Sequence, residues 1–112
     1  MIVKYPEVSV VVTTKNEERV LGHLLESLRD QTYPNLEIIV VDNNSVDKTK
    51  EIARKYTNKV FNFGPERSAQ RNFGAKKAEG DYLLFLDADM ELESKVVEEC
   101  VEVVTKTEEV RQ

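Results

Sequence analysis

Four times along the chain a short apolar run gives way to a polar cluster and then to a stretch whose apolar residues recur every three or four positions. That is the strand-then-helix alternation of α/β domains. Residues 8–12 form the first run, and residues 17 to about 31 the first helix, with Val20, Leu21, Leu24, Leu25 and Leu28 on one stripe. His23 falls opposite that stripe and is expected to be exposed. Tyr33-Pro34-Asn35 ends the helix. Residues 36–41 predict a second strand, and Ser45 a helix N-cap, with Asp47 favourable to the dipole in the first turn of a helix reaching Tyr56. Residues 59–63 predict a shorter third strand. Gly64-Pro65 should open a third helix running to about Glu79, with proline where its missing N–H does no harm, and Gly80 should stop it. The run from Asp81 to Leu86 has the apolarity of a strand covered on both faces. A last helix over residues 94–105 puts Val96, Val97, Cys100, Val101 and Val104 on one side, with Cys100 a small buried hydrophobe.

Parallel strands joined by helices cross over right-handedly, so the expected fold is α/β: a doubly wound, mainly parallel sheet of about four strands in the order 3-2-1-4, flanked by helices. This order sets Thr13-Thr14-Lys15-Asn16, Asp42-Asn43-Asn44 and Asp87-Ala88-Asp89 side by side at the carboxyl ends of three strands. Open α/β sheets collect ligands there. Asp87 and Asp89 offer two hard oxygen donors suited to Mg²⁺ or Mn²⁺, with phosphate and water completing the shell. The alternative is that Asp87 caps the next turn and Asp89 is solvated. Asp42 can accept hydrogen bonds from a nucleobase imide or a ribose hydroxyl, or it can tie down the loop before Ser45. Arg71 can supply a fixed positive charge to phosphate, or be a helix arginine paired with a neighbouring carboxylate. Lys15 is read as a surface ammonium.

With 112 residues, 40% hydrophobic and 33% charged, the composition is that of one globular domain. The net charge of −5 argues against a nucleic-acid partner, which needs a basic face. No apolar stretch approaches the roughly 20 residues that span a bilayer, and a single cysteine excludes an internal disulfide. These features predict a soluble, cytoplasmic chain, or one held at the cytoplasmic face of a membrane by a partner or a further segment.

Four stretches of the chain carry a resemblance. Val8-Ser-Val-Val-Val-Thr-Thr-Lys-Asn-Glu-Glu18, Gln31-Thr-Tyr-Pro-Asn-Leu-Glu-Ile-Ile-Val-Val-Asp-Asn-Asn-Ser-Val-Asp47, Arg71-Asn-Phe-Gly-Ala75 and Leu84-Phe-Leu-Asp-Ala-Asp89 occur in the order and at the intervals of the family 2 glycosyltransferases with the A-type fold. The chain resembles their N-terminal, donor-binding half. The resemblance implies that Thr13 and Glu17 lie near the nucleobase, Asp42 contacts the base and Arg71 lies near the nucleotide. It also implies that Asp87 reaches the ribose and Asp89, with Asp87 as a second candidate, holds the metal on the diphosphate in a DxD motif. Thr13 and Asn43 stand where many relatives have proline and aspartate. The same resemblance implies a glycosyltransferase activity on a nucleotide diphosphate sugar, UDP favoured, with Mg²⁺ or Mn²⁺ and inversion at the sugar. Residues 1–112 would be a single nucleotide-sugar-binding domain without the acceptor-binding half. The acceptor is left open by the resemblance, between a saccharide and a lipid phosphate.

An inverting transfer also needs a general base. After Asp89 the chain offers Glu91, Glu93, Glu98, Glu99, Glu102, Glu108 and Glu109, which fall mostly on the polar face of the last helix. None is nominated. Two alternatives stay open: a nucleotide-binding module without turnover, and a phosphoacceptor receiver, which wants a late lysine after another strand that the chain lacks. In the order 3-2-1-4 the strand ending at Asp87 has no neighbour beyond it, so self-association, as a homodimer, is expected.

Overall fold

A computed structural model describes residues 5–111. Strand β1 (Val8–Thr14) is followed by α1 (Leu21–Arg29), β2 (Leu36–Asp42), α2 (Thr49–Arg54), β3 (Val60–Asn62), α3 (Arg67–Lys77), β4 (Tyr82–Asp87) and α4 (Val96–Arg111). The four strands form one parallel sheet in the order β3-β2-β1-β4. The predicted topology is therefore the observed one.

Strand β1 is buried at every position because it has a strand on each side and a helix layer on each face. Val8, Val10 and Val12 point into the larger core, where Leu21, Leu24, Leu25 and Leu28 of α1 meet Tyr33, Val40 and Val97. Val11 points the other way, with Ile39 and Val41, and α3 covers it through Phe73 beside Phe61. His23 is exposed, as expected.

Helix boundaries differ where distant side chains take over the caps. Helix α1 begins at Leu21 rather than Glu17, because residues 17–20 form a turn whose leading N–H groups are bound by the next loop: Glu17 N–H donates to Thr49 Oγ1 at 2.7 Å and Glu18 N–H to Asp47 Oδ2 at 3.2 Å. Ser45 does not cap α2, which starts at Thr49; its hydroxyl donates to Asp42 and accepts from Asn16 N–H. Pro65 precedes α3 without entering it, after a cis peptide from Gly64, and extended Glu66 is the N-cap. Gly80 lies beyond the end of α3 at a close backbone approach, where a Cβ would stand 2.8 Å from Ser9 N and 2.9 Å from Glu7 O.

Two expectations about burial are corrected. Strand β4 is an edge strand with only one covered face: Leu83 and Phe85 are 45% and 41% exposed, because α3 sits over β1 and β2 and does not reach them. Cys100 is exposed rather than buried. Helix α4 reaches the core through Val97, with Val101 packed at its margin, while Val103 and Val104 stay exposed. The apolar stripe of α4 is wider than the sheet edge available to receive it, so Cys100 and Val104 line an open cleft against Tyr82 and Leu84.

Candidate functional site

Strand register brings the three polar clusters together. Thr14 sits opposite Asp42 on β2, and Thr13 is opposite Asp87 on β4. Side chains alternate across a strand, so Thr13 and Asp87 belong to the face that α3 covers, whereas Thr14 and Asp42 belong to the α1–α2 face. Asp42 is fully buried and accepts from Thr14 Oγ1 at 2.5 Å, Ser45 Oγ at 2.6 Å and Ser45 N–H at 2.8 Å. It ties the loop before Ser45. The next residue, Asn43, turns to the α3 face, where its Nδ2 donates to Pro65 O at 2.9 Å. A Cβ on Gly64 would lie 2.3 Å from Asn43 Oδ1, so the glycine is what lets the two loops meet.

Both turns are shaped by asparagines in the left-handed region, Asn16 (φ 52°) and Asn44 (φ 49°), a conformation this residue tolerates better than most. Asn16 Oδ1 accepts from Val46 N–H at 2.9 Å, joining the loop after β1 to the loop after β2. Glu17 is half-buried on this joined loop, and exposed Lys15 donates to Asn43 O at 2.9 Å. Partial desolvation works against the charge on Asp47, but hydrogen bonds from the Thr49 side chain and N–H and from Glu18 N–H hold its pKa below the ordinary range.

Helix α3 delivers the positive charge. Gln70 is buried, and its Nε2 donates to Thr14 O at 3.1 Å and Val41 O at 2.8 Å, pinning the helix over the ends of β1 and β2. Gly74, one turn on, lets the helix sit directly on Val11. Arg67 and Arg71 then reach Asp87 Oδ1 at 3.8 and 3.7 Å. Thr13, Asn43, Asp87, Arg67 and Arg71 thus share one shelf at the carboxyl edge of the sheet, open to solvent at Asp87 and both arginines. A separate hollow of about 480 Å³, lined by Phe63, Ala69, Asn72, Phe73, Lys76 and Lys77, shares none of these residues.

Asp89 is exposed in the turn after β4, two residues beyond half-exposed Asp87. Among the described residues no three metal-ligating side chains gather, and Asp87 and Asp89 are the two carboxylates those residues would offer a cation at this edge. Such a donor set fits a hard divalent ion that takes its remaining ligands from phosphate and water.

Arg67 joins the shelf without being a candidate from the sequence, although its spacing of four from Arg71 on a predicted helix is a usable signal. Asn43, rather than Asp42, meets the shelf because the facing of each depends on where β2 ends. Gln70 and Thr49 carry no local signal of their roles.

A parallel sheet in the order β3-β2-β1-β4 with flanking helices defines a doubly wound α/β domain, the architecture in which ligands collect at the carboxyl edge of the strands. Residues 9–110 match Glycosyl transferase family 2, and the chain belongs to that family. It is 39% identical over 92 residues to the poly(ribitol-phosphate) beta-N-acetylglucosaminyltransferase TarS of Staphylococcus aureus, covering 72% of this chain and 16% of that protein. The crystal structure of S. aureus TarS 1–349 with UDP superposes with a TM-score of 0.80 at 32% identity, over 89% of this chain and 32% of that one. The mannosyltransferase PcManGT of Pyrobaculum calidifontis, solved with GDP-Man and Mn²⁺, gives 0.72 at 27% identity, over 81% of this chain and 30% of that one. The chain therefore spans about a third or less of each of these proteins. Among the described residues no helix is long and apolar enough to cross a membrane.

Proposed function

We propose that this chain is the donor-binding part of a glycosyltransferase that takes a nucleotide diphosphate sugar, UDP favoured, together with Mg²⁺ or Mn²⁺. The observation that carries the reading is the convergence of Thr13, Asn43, Asp87, Arg67 and Arg71 on one shelf, beside the exposed carboxylate of Asp89. The base and ribose would lie along the β1 and β2 ends, near Thr13, Glu17 and Asn43, with Asp87 within reach of the ribose. Asp42 would serve the base indirectly, by holding the loop. Asp89, with Asp87 as its partner, would hold the cation, which when bound neutralises charge on the diphosphate. Arg71 would face the phosphates, where a fixed guanidinium favours the charge that develops as the leaving group departs.

In the inverting transfer proposed, the bond from the sugar's anomeric carbon to the diphosphate oxygen breaks with its electron pair going to UDP. The acceptor oxygen bonds to that carbon from the opposite side, and its proton passes to a general base. No described residue after Asp89 is assigned that role. Glu98 accepts from Thr32, Glu102 from Lys106 and Glu108 from Tyr82; the side chain of Glu109 lies outside the described residues. The second reading is a module that binds donor without turnover. The acceptor proposed is a saccharide or a lipid phosphate, met in the cytoplasm or at a membrane's cytoplasmic face; TarS is named for a phosphate-bearing polymer.

Thermal unfolding with UDP, GDP and their sugars tests the donor reading. UDP at a hundred times its Kd is expected to stabilise by about 2.7 kcal/mol, and only with Mg²⁺ or Mn²⁺ present; Asp89→Asn removes the metal-dependent part and leaves the fold intact. No shift with any nucleotide and either metal would remove the donor site. Mass spectrometry after incubation with donor, metal and a panel of acceptors separates the two readings: slow donor hydrolysis without transfer is expected of this chain alone.

A further inference from the structure

Arg67 and Arg71 approach the same oxygen of Asp87, at 3.8 and 3.7 Å, and the three side chains are between 40% and 63% exposed. Charge-assisted hydrogen bonds close to about 2.7–2.9 Å, so neither arginine is locked to the carboxylate. Ion pairs of this length and exposure exchange partners at little cost. The cluster carries two positive charges against one negative, an excess suited to an anion with more charge than a single carboxylate. Asp87 is also one of the two carboxylates that fit a divalent cation. One oxygen cannot serve both kinds of partner, since a cation drawn to Asp87 repels the two guanidiniums beside it.

We propose that Arg67 and Arg71 are an exchangeable counter-ion for Asp87: they neutralise it while the shelf is empty and turn to the diphosphate when a divalent cation takes their place. Arg67 thereby becomes a phosphate-facing residue in its own right. Gln70 and Gly74 hold the backbone of α3 fixed over β1 and β2, so the exchange needs only the ends of two exposed side chains to move. The consequence is linkage. Cation binding frees two arginines for phosphate, phosphate draws them from Asp87, and each event favours the other by the same factor. The inference rests on the donor reading for its diphosphate, but the competition for Asp87 does not.

The experiment titrates Mn²⁺ alone, by the electron paramagnetic resonance of the free ion, and UDP with and without Mn²⁺, by calorimetry. The chains are the parent, Arg67→Ala, Arg71→Ala and Arg29→Ala. The last removes the same charge from the far end of α1, where Arg29 pairs with Glu26, and so controls for net charge. Without nucleotide, Arg67→Ala and Arg71→Ala are expected to bind Mn²⁺ about two- to fivefold more tightly than the parent and the control, the worth of exposed ion pairs. With Mn²⁺ saturating, both are expected to bind UDP about tenfold more weakly, as loss of a charged hydrogen bond implies, and added UDP is expected to tighten their Mn²⁺ binding by a smaller factor than it tightens the parent's. Unchanged or weaker Mn²⁺ binding by both arginine variants overturns the exchange, as does an absence of Mn²⁺ binding by all four chains. A parent that binds Mn²⁺ but no UDP defeats the donor reading instead, and the Mn²⁺ titration still decides whether the arginines compete.

Discussion

Glu37 is 5% exposed and sits at the amino end of the sheet, away from the shelf. It accepts from Ser9 Oγ at 2.5 Å, from Glu79 N–H at 2.9 Å and from Lys59 Nζ, and Ser9 Oγ in turn accepts from Gly80 N–H. One carboxylate therefore joins β1, β2, the residue before β3 and the turn into β4. Burial pushes its pKa up, but the Glu79 N–H, the Lys59 ammonium and the Ser9 hydroxyl outweigh that and hold it below the ordinary glutamate value of 4.5. Because the folded value lies below the unfolded one, the stabilisation is complete above pH 4.5 and is lost as pH falls through the folded value. The hydrogen bond from Lys59 raises that lysine above 10.5, so its contribution is present below 10.5 and lost as pH rises through the folded value. Glu37→Gln is expected to cost about 1–3 kcal/mol at neutral pH and to flatten the acid limb of the stability curve. Urea unfolding at neutral and acid pH measures both, and a variant with the parent's acid limb would show that other carboxylates carry it.

At the scale of elements, the seating of α3 decides whether the arginines stand over the shelf. A Cβ on Gly74 would lie 2.4 Å from Val11 Cγ1 and 3.2 Å from Val41 Cγ2. Val11 and Val41 are fully buried and branched at Cβ, so neither can swing aside. Alanine is the better helix former by about 1 kcal/mol, yet overpacking a tight contact typically costs about 1–3 kcal/mol, so the steric term is expected to win. Gly74→Ala should lower stability by up to about 2 kcal/mol and weaken UDP binding with it, because lifting α3 strains both hydrogen bonds of Gln70. Urea unfolding and calorimetry check this. A more stable variant with the parent's affinity would mean that α3 has room to spare.

For the molecule as a whole, the open side of β4 is the exposed liability. Among the described residues the strand pairs only with β1, and Leu83 and Phe85 present alternate apolar side chains on the face that α3 leaves uncovered. Unpaired edges with apolar neighbours invite strand addition. The 112-residue chain is expected to associate as its concentration rises, and Leu83→Lys with Phe85→Lys to hold it monomeric without loss of thermal stability. Light scattering across a wide concentration range decides this, and a parent that stays monomeric throughout would count against it.

Much of this architecture is legible in the order of residues. Strands buried on both faces read as nearly continuous apolar runs, and polar residues crowd where such runs end, so β1, β2 and their loops declare themselves. The right-handed crossover rule then leaves few strand orders, and 3-2-1-4 puts Thr13, Asp42 and Asp87 at one edge. The order of residues cannot decide facing and partnership. Asp42 and Asn43 are adjacent, and which one meets the shelf depends on where β2 stops pairing with β1. The same holds for Ser45, whose local spacing suits a helix cap but whose hydroxyl serves Asp42 and Asn16. Cys100 lies on a periodic apolar stripe, yet stays exposed because the sheet beneath α4 ends at β4. Each of these outcomes depends on contacts between segments distant in the chain, and neither local propensity nor periodicity carries the positions of such partners.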